Sequence, residues 1–270
     1  MSNNQLLSPE IISKLNNLSI KARYVVEGFI VGLHKSPYHG FSVEFSEHRS
    51  YGFGDEIRHI DWKLWGKTDR YFVKQFEEET NLKSYLLVDQ SQSMGYKSNK
   101  VSKYEYAQIL AASLGYLMLK QQDAVGLILF DNKIRINIPA RTKRSHLNII
   151  LSQMENTKLG AKTQISPILH QTADLIKKRG LIIIISDLLD SPEKIISGLK
   201  HFRYKGHEVV IFHLLDPQEL NFNFSKSTRF RDMESKEEII TEPSYFKIDY
   251  QKNINKFCNY YKLQCRKNKI

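Results

Sequence analysis

The sequence has little of several features that would place it outside the ordinary globular class. It contains 2 cysteines, 13 glycines and 7 prolines in 270 residues, so neither a disulfide scaffold nor a long flexible tract is expected. Its longest purely aliphatic run, residues 181–185, is far shorter than the ~20 apolar residues that span a bilayer. The N-terminus lacks the basic and apolar stretches of a signal peptide. We therefore expect a soluble cytoplasmic protein of one or two domains.

The two cysteines, Cys258 and Cys265, are separated by about two turns of a predicted C-terminal helix. That separation along one helix is too long for a disulfide, so both are expected to be reduced thiols.

The charge is strongly one-sided, at +11 with a pI of about 9.4. Such a balance permits either nucleic acid or an acidic protein surface as a partner. The basic residues are dispersed apart from Arg266, Lys267 and Lys269, and there is no arginine-rich arm. A basic nucleic-acid-binding module is therefore an alternative function, which steeply salt-dependent binding would identify.

From residue 83 onward, apolar strands alternate with amphipathic helices. Strands are expected at residues 84–89, 124–130, 133–139, 181–186 and 208–215, the third of them antiparallel to the second. Helices follow most of them, and a loop of about thirty residues precedes the last helix. This order predicts a doubly wound, mostly parallel α/β sheet with helices on both faces. We expect this domain at residues 81–270, with a distinct N-terminal segment at 1–80 packing on it.

Oxygen-bearing side chains follow the predicted strands at their carboxyl ends, where doubly wound sheets bind ligands. The first strand ends in Asp89-Gln90-Ser91-Gln92-Ser93, a D-x-S-x-S pattern, and the strand at 181–186 is followed by Asp187. Between them, Gly160-Ala-Lys-Thr163 precedes a helix. Two carboxylates and three hydroxyls suit Mg²⁺, Mn²⁺ or Ca²⁺ and not zinc. With neutral hydroxyls among its ligands, the ion would attract a further carboxylate from outside.

Other interpretations of these residues are open. Ser91 or Ser93 can instead cap the helix that follows. A magnesium-dependent phosphoryl-transfer enzyme also places an aspartate after its first strand, but it needs a second acid two residues later, where Ser91 stands. Gly66-Lys67-Thr68 lacks the first glycine of a P-loop, because that position is Asp61.

The five residues resemble the metal-ion-dependent adhesion site (MIDAS) of von Willebrand factor A domains. In that family a D-x-S-x-S loop, a threonine and an aspartate from two further loops hold the ion. The resemblance matches these ligands to Asp89, Ser91, Ser93, Thr163 and Asp187. Thr142 and Thr157, also in predicted loops, are the alternatives to Thr163.

A dense string of Gly, His, aromatic and charged residues between Gly32 and Glu79 resembles the signature of bacterial domain-of-unknown-function family 58 (DUF58). The stretch His213-Leu-Leu-Asp216-Pro217-Gln-Glu219 resembles that family's late loop. The resemblance implies a non-catalytic adaptor that works with a MoxR-type AAA+ ATPase in the assembly or maturation of other proteins. Within the string, Trp62 and Phe76 are expected in a core, and its charges form either an ion-pair network or a partner-binding surface.

Overall fold

The computed structural model describes residues 17–33, 48–52, 60, 62–74, 82–160, 164–224, 227–233 and 237–270. The chain divides into two compact units, one made of Met1–Gly32 and Leu82–Ile270 and the other of Leu33–Asn81. Leu18 and Ala22, at the start of the first described helix, belong to the larger unit. Both are buried in the hydrophobic core of that unit.

Helices and strands alternate through the larger unit, whereas the smaller one contains a short helix between two short strands. In chain order the elements are α1 (Leu18–Leu33), β1 (His48–Ser50), α2 (Trp62–Thr68), β2 (Phe72–Lys74), β3 (Lys83–Asp89), α3 (Lys103–Lys120), β4 (Ala124–Phe130), β5 (Ile134–Arg141), α4 (His146–Asn156), α5 (Ile165–Leu175), β6 (Leu181–Ser186), α6 (Pro192–Tyr204), β7 (Glu208–His213), α7 (Pro217–Asn221), β8 (Thr228–Arg231), β9 (Glu238–Thr241) and α8 (Lys247–Lys267). Short 3₁₀ turns lie at Gln92–Gly95 and Pro243–Tyr245.

Five strands of the larger unit form one sheet in the order β5-β4-β3-β6-β7. All neighbouring pairs are parallel except β4 and β5, which are antiparallel. Alternate residues of the central strand β3 point to opposite faces, as the two-residue period of a strand requires. Leu86 and Val88 pack with α3 and α4, whereas Leu87 packs with α5 and α6. The predicted doubly wound, mostly parallel sheet with helices on both faces is therefore confirmed.

The stretch after β7 was expected to be a loop, and that expectation was wrong. It contains the helix α7 and an antiparallel hairpin of β8 and β9. Helix α7 begins at a capping box, in which the Asp216 carboxylate accepts from Gln218 N and the Glu219 carboxylate accepts from Asp216 N. The hairpin lacked a clear signal because its second strand is largely exposed, with Ile239 and Ile240 each 66% accessible.

Both cysteines of α8 are free, as expected, and both are half-buried. No helix in the described ranges is long and apolar enough to cross a membrane.

In the smaller unit, β1 pairs with β2 in antiparallel register and α2 lies between them in sequence. Its aromatic side chains contact one another, with Trp65 stacked on Tyr71 at a centroid distance of 6.0 Å. Trp62, expected in a core, is 54% exposed, so that expectation was wrong. Most of the dense string between residues 32 and 79, including Phe76, lies outside the described residues.

Candidate functional site

The carboxyl ends of β3 and β6 meet at one edge of the sheet because the two strands are parallel neighbours, with Val88 opposite Ile185. Asp89 ends β3 and is fully buried, and Asp187, which directly follows β6, is 1% exposed. The Ser186 hydroxyl donates to Asp89 Oδ2 at 2.6 Å. The sequence pattern thus brings these two predicted ligand positions together, as the topology rule requires.

The D-x-S-x-S loop turns back over Asp89. Ser91 N donates to Asp89 Oδ1 at 2.8 Å, and the hydroxyls of Ser91 and Ser93 are 3.0 Å apart. Neither serine caps the helix that follows. Ser91 makes no side-chain cap at the 3₁₀ turn, and α3 begins instead at a capping box of Ser102 and Glu105. The helix-cap interpretation of these two serines is therefore wrong.

Thr163, the third predicted hydroxyl ligand, lies outside the described residues. The residues on either side of its loop are tied to the site. Gly160 N donates to the carbonyl of Gln90 at 2.8 Å, within the D-x-S-x-S loop. Ile165 N donates to Asp190 Oδ2 at 3.0 Å, just beyond Asp187. The alternative Thr157 uses its hydroxyl at the end of α4, where it donates to the carbonyl of Gln153.

The electrostatics of the site are those of two buried carboxylates placed side by side. Burial and the neighbouring Asp187 carboxylate raise the pKa of Asp89 to about 7, while hydrogen bonds from Ser186 and Ser91 act in the opposite direction. A buried anion pair is unfavourable unless a cation compensates it. The site is therefore suited to gain positive charge.

Lys103 supplies part of that charge and was not anticipated from the sequence. Its ammonium lies 2.9 Å from Asp187 Oδ2 and 2.7 Å from Glu219 Oε1, with its side chain 4% exposed. Lys103 is the first residue of α3, a position at which the helix dipole disfavours a positive charge. The two carboxylates compensate this unfavourable placement, and the sequence alone does not identify them.

The oxygen donors at this edge fit a hard divalent cation. The Ser91 and Ser93 hydroxyls form a hydrogen bond with each other at 3.0 Å, a separation that two ligands of one octahedral Mg²⁺ at ~2.1 Å would also have. The Asp89 carboxylate accepts hydrogen bonds from Ser91 N and from the Ser186 hydroxyl, one at each of its two oxygens. In the part of the chain that the structure describes, no group of three or more His, Cys, Asp or Glu side chains forms a metal cluster. Any cation here would therefore depend on the serine hydroxyls.

A cleft of about 270 Å³ opens beside Ser93. Its lining residues are Ser93, Tyr96, Leu189, Glu219, Asp232 and Met233. Leu189, which lines this cleft, is 47% accessible, and Leu159, which lies beside Gly95, is 39% accessible.

Residues 47–256 match the family described as "Protein of unknown function DUF58". The chain belongs to this family. The match covers the whole five-stranded sheet, the D-x-S-x-S loop and Asp187, and it includes most of the smaller unit, Leu33–Asn81. The family identified from the residue pattern is therefore confirmed.

Among curated relatives, an uncharacterized protein of Mycobacterium tuberculosis is 25% identical over 230 residues, covering 84% of this chain and 72% of that protein. An uncharacterized protein of Mycobacterium bovis matches equally. The names of these relatives state no function.

Among solved structures, an aerotolerance-related membrane protein from Bacteroides fragilis has a TM-score of 0.46 and 18% identity, covering 64% of this chain and 88% of that one. The conserved hypothetical protein BatB from Bacteroides thetaiotaomicron has a TM-score of 0.44 and 16% identity, covering 63% and 84%. The SpRpn10 VWA domain has a TM-score of 0.38 and 13% identity, covering 48% and 73%. The fold of the DUF58 chain itself is established by its strand order.

Proposed function

We propose that this DUF58 chain is a non-catalytic, metal-dependent adaptor that binds another protein at the carboxyl edge of its sheet. The observation that carries the proposal is the pairing of buried Asp89 and Asp187 beside two adjacent serine hydroxyls. Asp89, Ser91, Ser93 and Asp187, with Thr163 as a further ligand, would hold Mg²⁺, Mn²⁺ or Ca²⁺. The bound ion would supply a Lewis-acidic position that an acidic side chain of the partner completes.

The surroundings of the site support binding over catalysis. The exposed Leu189 and Leu159 offer apolar contact area beside Ser93 and Gly95. The position at which a phosphoryl-transfer enzyme would place its second acid is occupied by Ser91, whose hydroxyl contacts that of Ser93. The partner we propose is a protein with an acidic ligand, working together with a MoxR-type AAA+ ATPase that acts on the assembly.

Thermal unfolding with and without millimolar Mg²⁺ or Mn²⁺ tests the metal site. At a hundred times Kd a ligand of the native state adds ~2.7 kcal/mol, which raises Tm by about 5–10 °C for a domain of this size. We expect that shift in the wild type and its loss in the Ser91→Ala/Ser93→Ala variant. A matched control is Ser152→Ala/Ser197→Ala, which changes two exposed helical serines and should retain the shift.

Partner capture tests the adaptor role. Wild-type protein with Mg²⁺ should retain a MoxR-type ATPase of the same organism or its client, and Asp89→Ala or added EDTA should release it. Retention that survives both treatments would show that the metal does not mediate binding. Sequence-independent retention of DNA at physiological salt would instead favour the nucleic-acid alternative.

A further inference from the structure

Lys103 joins the candidate metal site to helix α7. Its ammonium contacts Asp187 on one side and Glu219 on the other, at 2.9 and 2.7 Å. Asp187 follows β6 and Glu219 lies in α7. A single positive charge therefore connects a predicted metal ligand with a separate surface element.

Helix α7 is bonded to the segment that follows the D-x-S-x-S loop. Asp216 Oδ2 accepts from Ser98 N at 2.9 Å, and Gln218 Oε1 accepts from the Tyr96 hydroxyl at 3.0 Å. Glu219 uses one oxygen to cap its own helix and the other to bind Lys103. The loop carrying Ser91 and Ser93 thus continues into the residues that hold α7.

Lys103 and a divalent cation would compete for the same carboxylate. A cation coordinated by Asp187 would lie close to the Lys103 ammonium, because that ammonium already contacts Asp187 Oδ2. The side chains of Lys103 and Asp187 are almost fully buried. A cation bound to Asp187 and the Lys103 ammonium would therefore repel each other strongly, because water does not screen them. Glu219 offsets this repulsion, since its carboxylate neutralises Lys103 from the other side.

We infer that Lys103 is a positioning residue that links Asp187 to α7 in the metal-free protein and lowers the affinity of the site for a divalent cation. Its competition with the metal rests on the proposed function, whereas the link itself does not. When a metal binds at Asp187, Lys103 loses its contact with Asp187 and keeps only its contact with Glu219. Metal binding therefore changes the contacts that hold α7. Glu219 also lines the cleft beside Ser93, so the change reaches the proposed partner surface.

The competition is tested by titrating the purified chain with Mn²⁺ alone and following free Mn²⁺ by electron paramagnetic resonance. Removal of the positive charge in Lys103→Met should lower the Kd by about tenfold or more, because a close like charge is lost. Lys103→Arg keeps the charge and should bind nearly as the wild type does. Glu219→Gln should raise the Kd, since it leaves Lys103 less neutralised. A Lys103→Met variant that binds no tighter than the wild type overturns the competition.

The link is tested without metal by a double-mutant cycle in EDTA, using Lys103→Met, Asp187→Asn and their combination. Lys103→Met leaves a buried carboxylate uncompensated and should lower the unfolding midpoint, and adding Asp187→Asn should restore most of the loss. Additive effects overturn the link. If Lys103→Met alone fails to fold, its rescue by Asp187→Asn supports the link, and the raised Kd of Glu219→Gln tests the competition in its place.

The two proposals fail separately. If neither wild type nor Lys103→Met binds Mn²⁺, the metal site and the competition are both overturned, while coupling in the EDTA cycle still decides the link. If the wild type binds Mn²⁺ but the cycle is additive, the metal site stands and the link is overturned.

Discussion

The hydroxyl of Ser186 donates a 2.6 Å hydrogen bond to Oδ2 of Asp89, which joins the ends of the neighbouring strands β6 and β3. The same hydroxyl oxygen accepts a hydrogen bond from Leu188 N at 3.0 Å. One serine thus fixes both the carboxylate at the end of β3 and the turn that carries Asp187. It is the contact on which the geometry of the candidate site most directly depends.

Ser186→Ala should therefore lower the free energy of unfolding by ~1.5–3 kcal/mol at pH values above the Asp89 pKa of about 7, where the buried carboxylate is charged and loses a hydrogen bond. Urea denaturation measures the effect. The matched control is Ser84→Ala on β3, because Ser84 is also fully buried and its hydroxyl has no hydrogen-bond partner among the described residues. Ser84→Ala should be neutral or stabilising, and equal losses in the two variants would contradict this account.

Gly160 is expected to tolerate no side chain. A Cβ there would lie 2.7 Å from the Asp131 carboxylate carbon, and that carboxylate is held by two hydrogen bonds from Arg135 Nε and Nη2 to its Oδ2, at 2.9 and 2.6 Å. Gly160→Ala should destabilise the protein by ~1–3 kcal/mol through overpacking. It should also weaken the response to Mg²⁺, because Gly160 anchors the loop of Thr163 to Gln90.

Gly66→Ala is the control for that substitution. Gly66 lies in α2 and a Cβ there would meet nothing within 4 Å. Replacing a helical glycine should stabilise the protein by ~0.5–1 kcal/mol. Thermal unfolding of both variants, with and without Mg²⁺, separates the two positions. Equal Tm changes would mean that contact with Asp131 does not limit residue 160.

His207 should make stability sensitive to mild acid. The residue is 1% exposed, and burial lowers the pKa of its imidazole below the ordinary value of 6.5. The folded state disfavours the protonated ring, so protonation favours unfolding. The neutral imidazole therefore destabilises nothing above pH 6.5, and the free energy of unfolding decreases as the pH falls below that value. In His207→Leu the unfolding free energy should fall less steeply with acid below that pH, and parallel profiles for variant and wild type would contradict the assignment.

The two thiols should react slowly in the folded protein. Burial raises the pKa of both Cys258 and Cys265, so less thiolate is present at pH 8 than for a free cysteine. Alkylation by iodoacetamide, followed by mass spectrometry, should be slow in buffer and fast in urea. Rapid alkylation of the folded chain, or a 2 Da mass loss from a disulfide, would show that the helix does not protect them.

The sheet and most of its edge could be predicted because their signals are local. The aliphatic run at 181–186 and the acid after it define a buried strand and the residue at its end without reference to any other part of the chain. Parallel pairing then places Asp89 and Asp187 at one edge, whatever the detailed packing.

Lys103 and Glu219 could not be predicted in the same way. Lys103 is 84 residues from Asp187 and 116 from Glu219, and no short pattern encodes contacts at such separations. The hairpin of β8 and β9 escaped prediction for a different reason. Neither of its faces is buried enough to impose strict alternation of apolar and polar residues.

The central place of β3 in the sheet has a consequence for biogenesis. Its neighbour β6 is synthesised about a hundred residues later, as the separation of 97 residues between Asp89 and Ser186 shows. A nascent chain that ends at α5 does not yet contain β6, so the edge of β3 that pairs with β6 has no partner strand. The two carboxylates of the candidate site therefore come together only after β6 has been synthesised and has paired with β3.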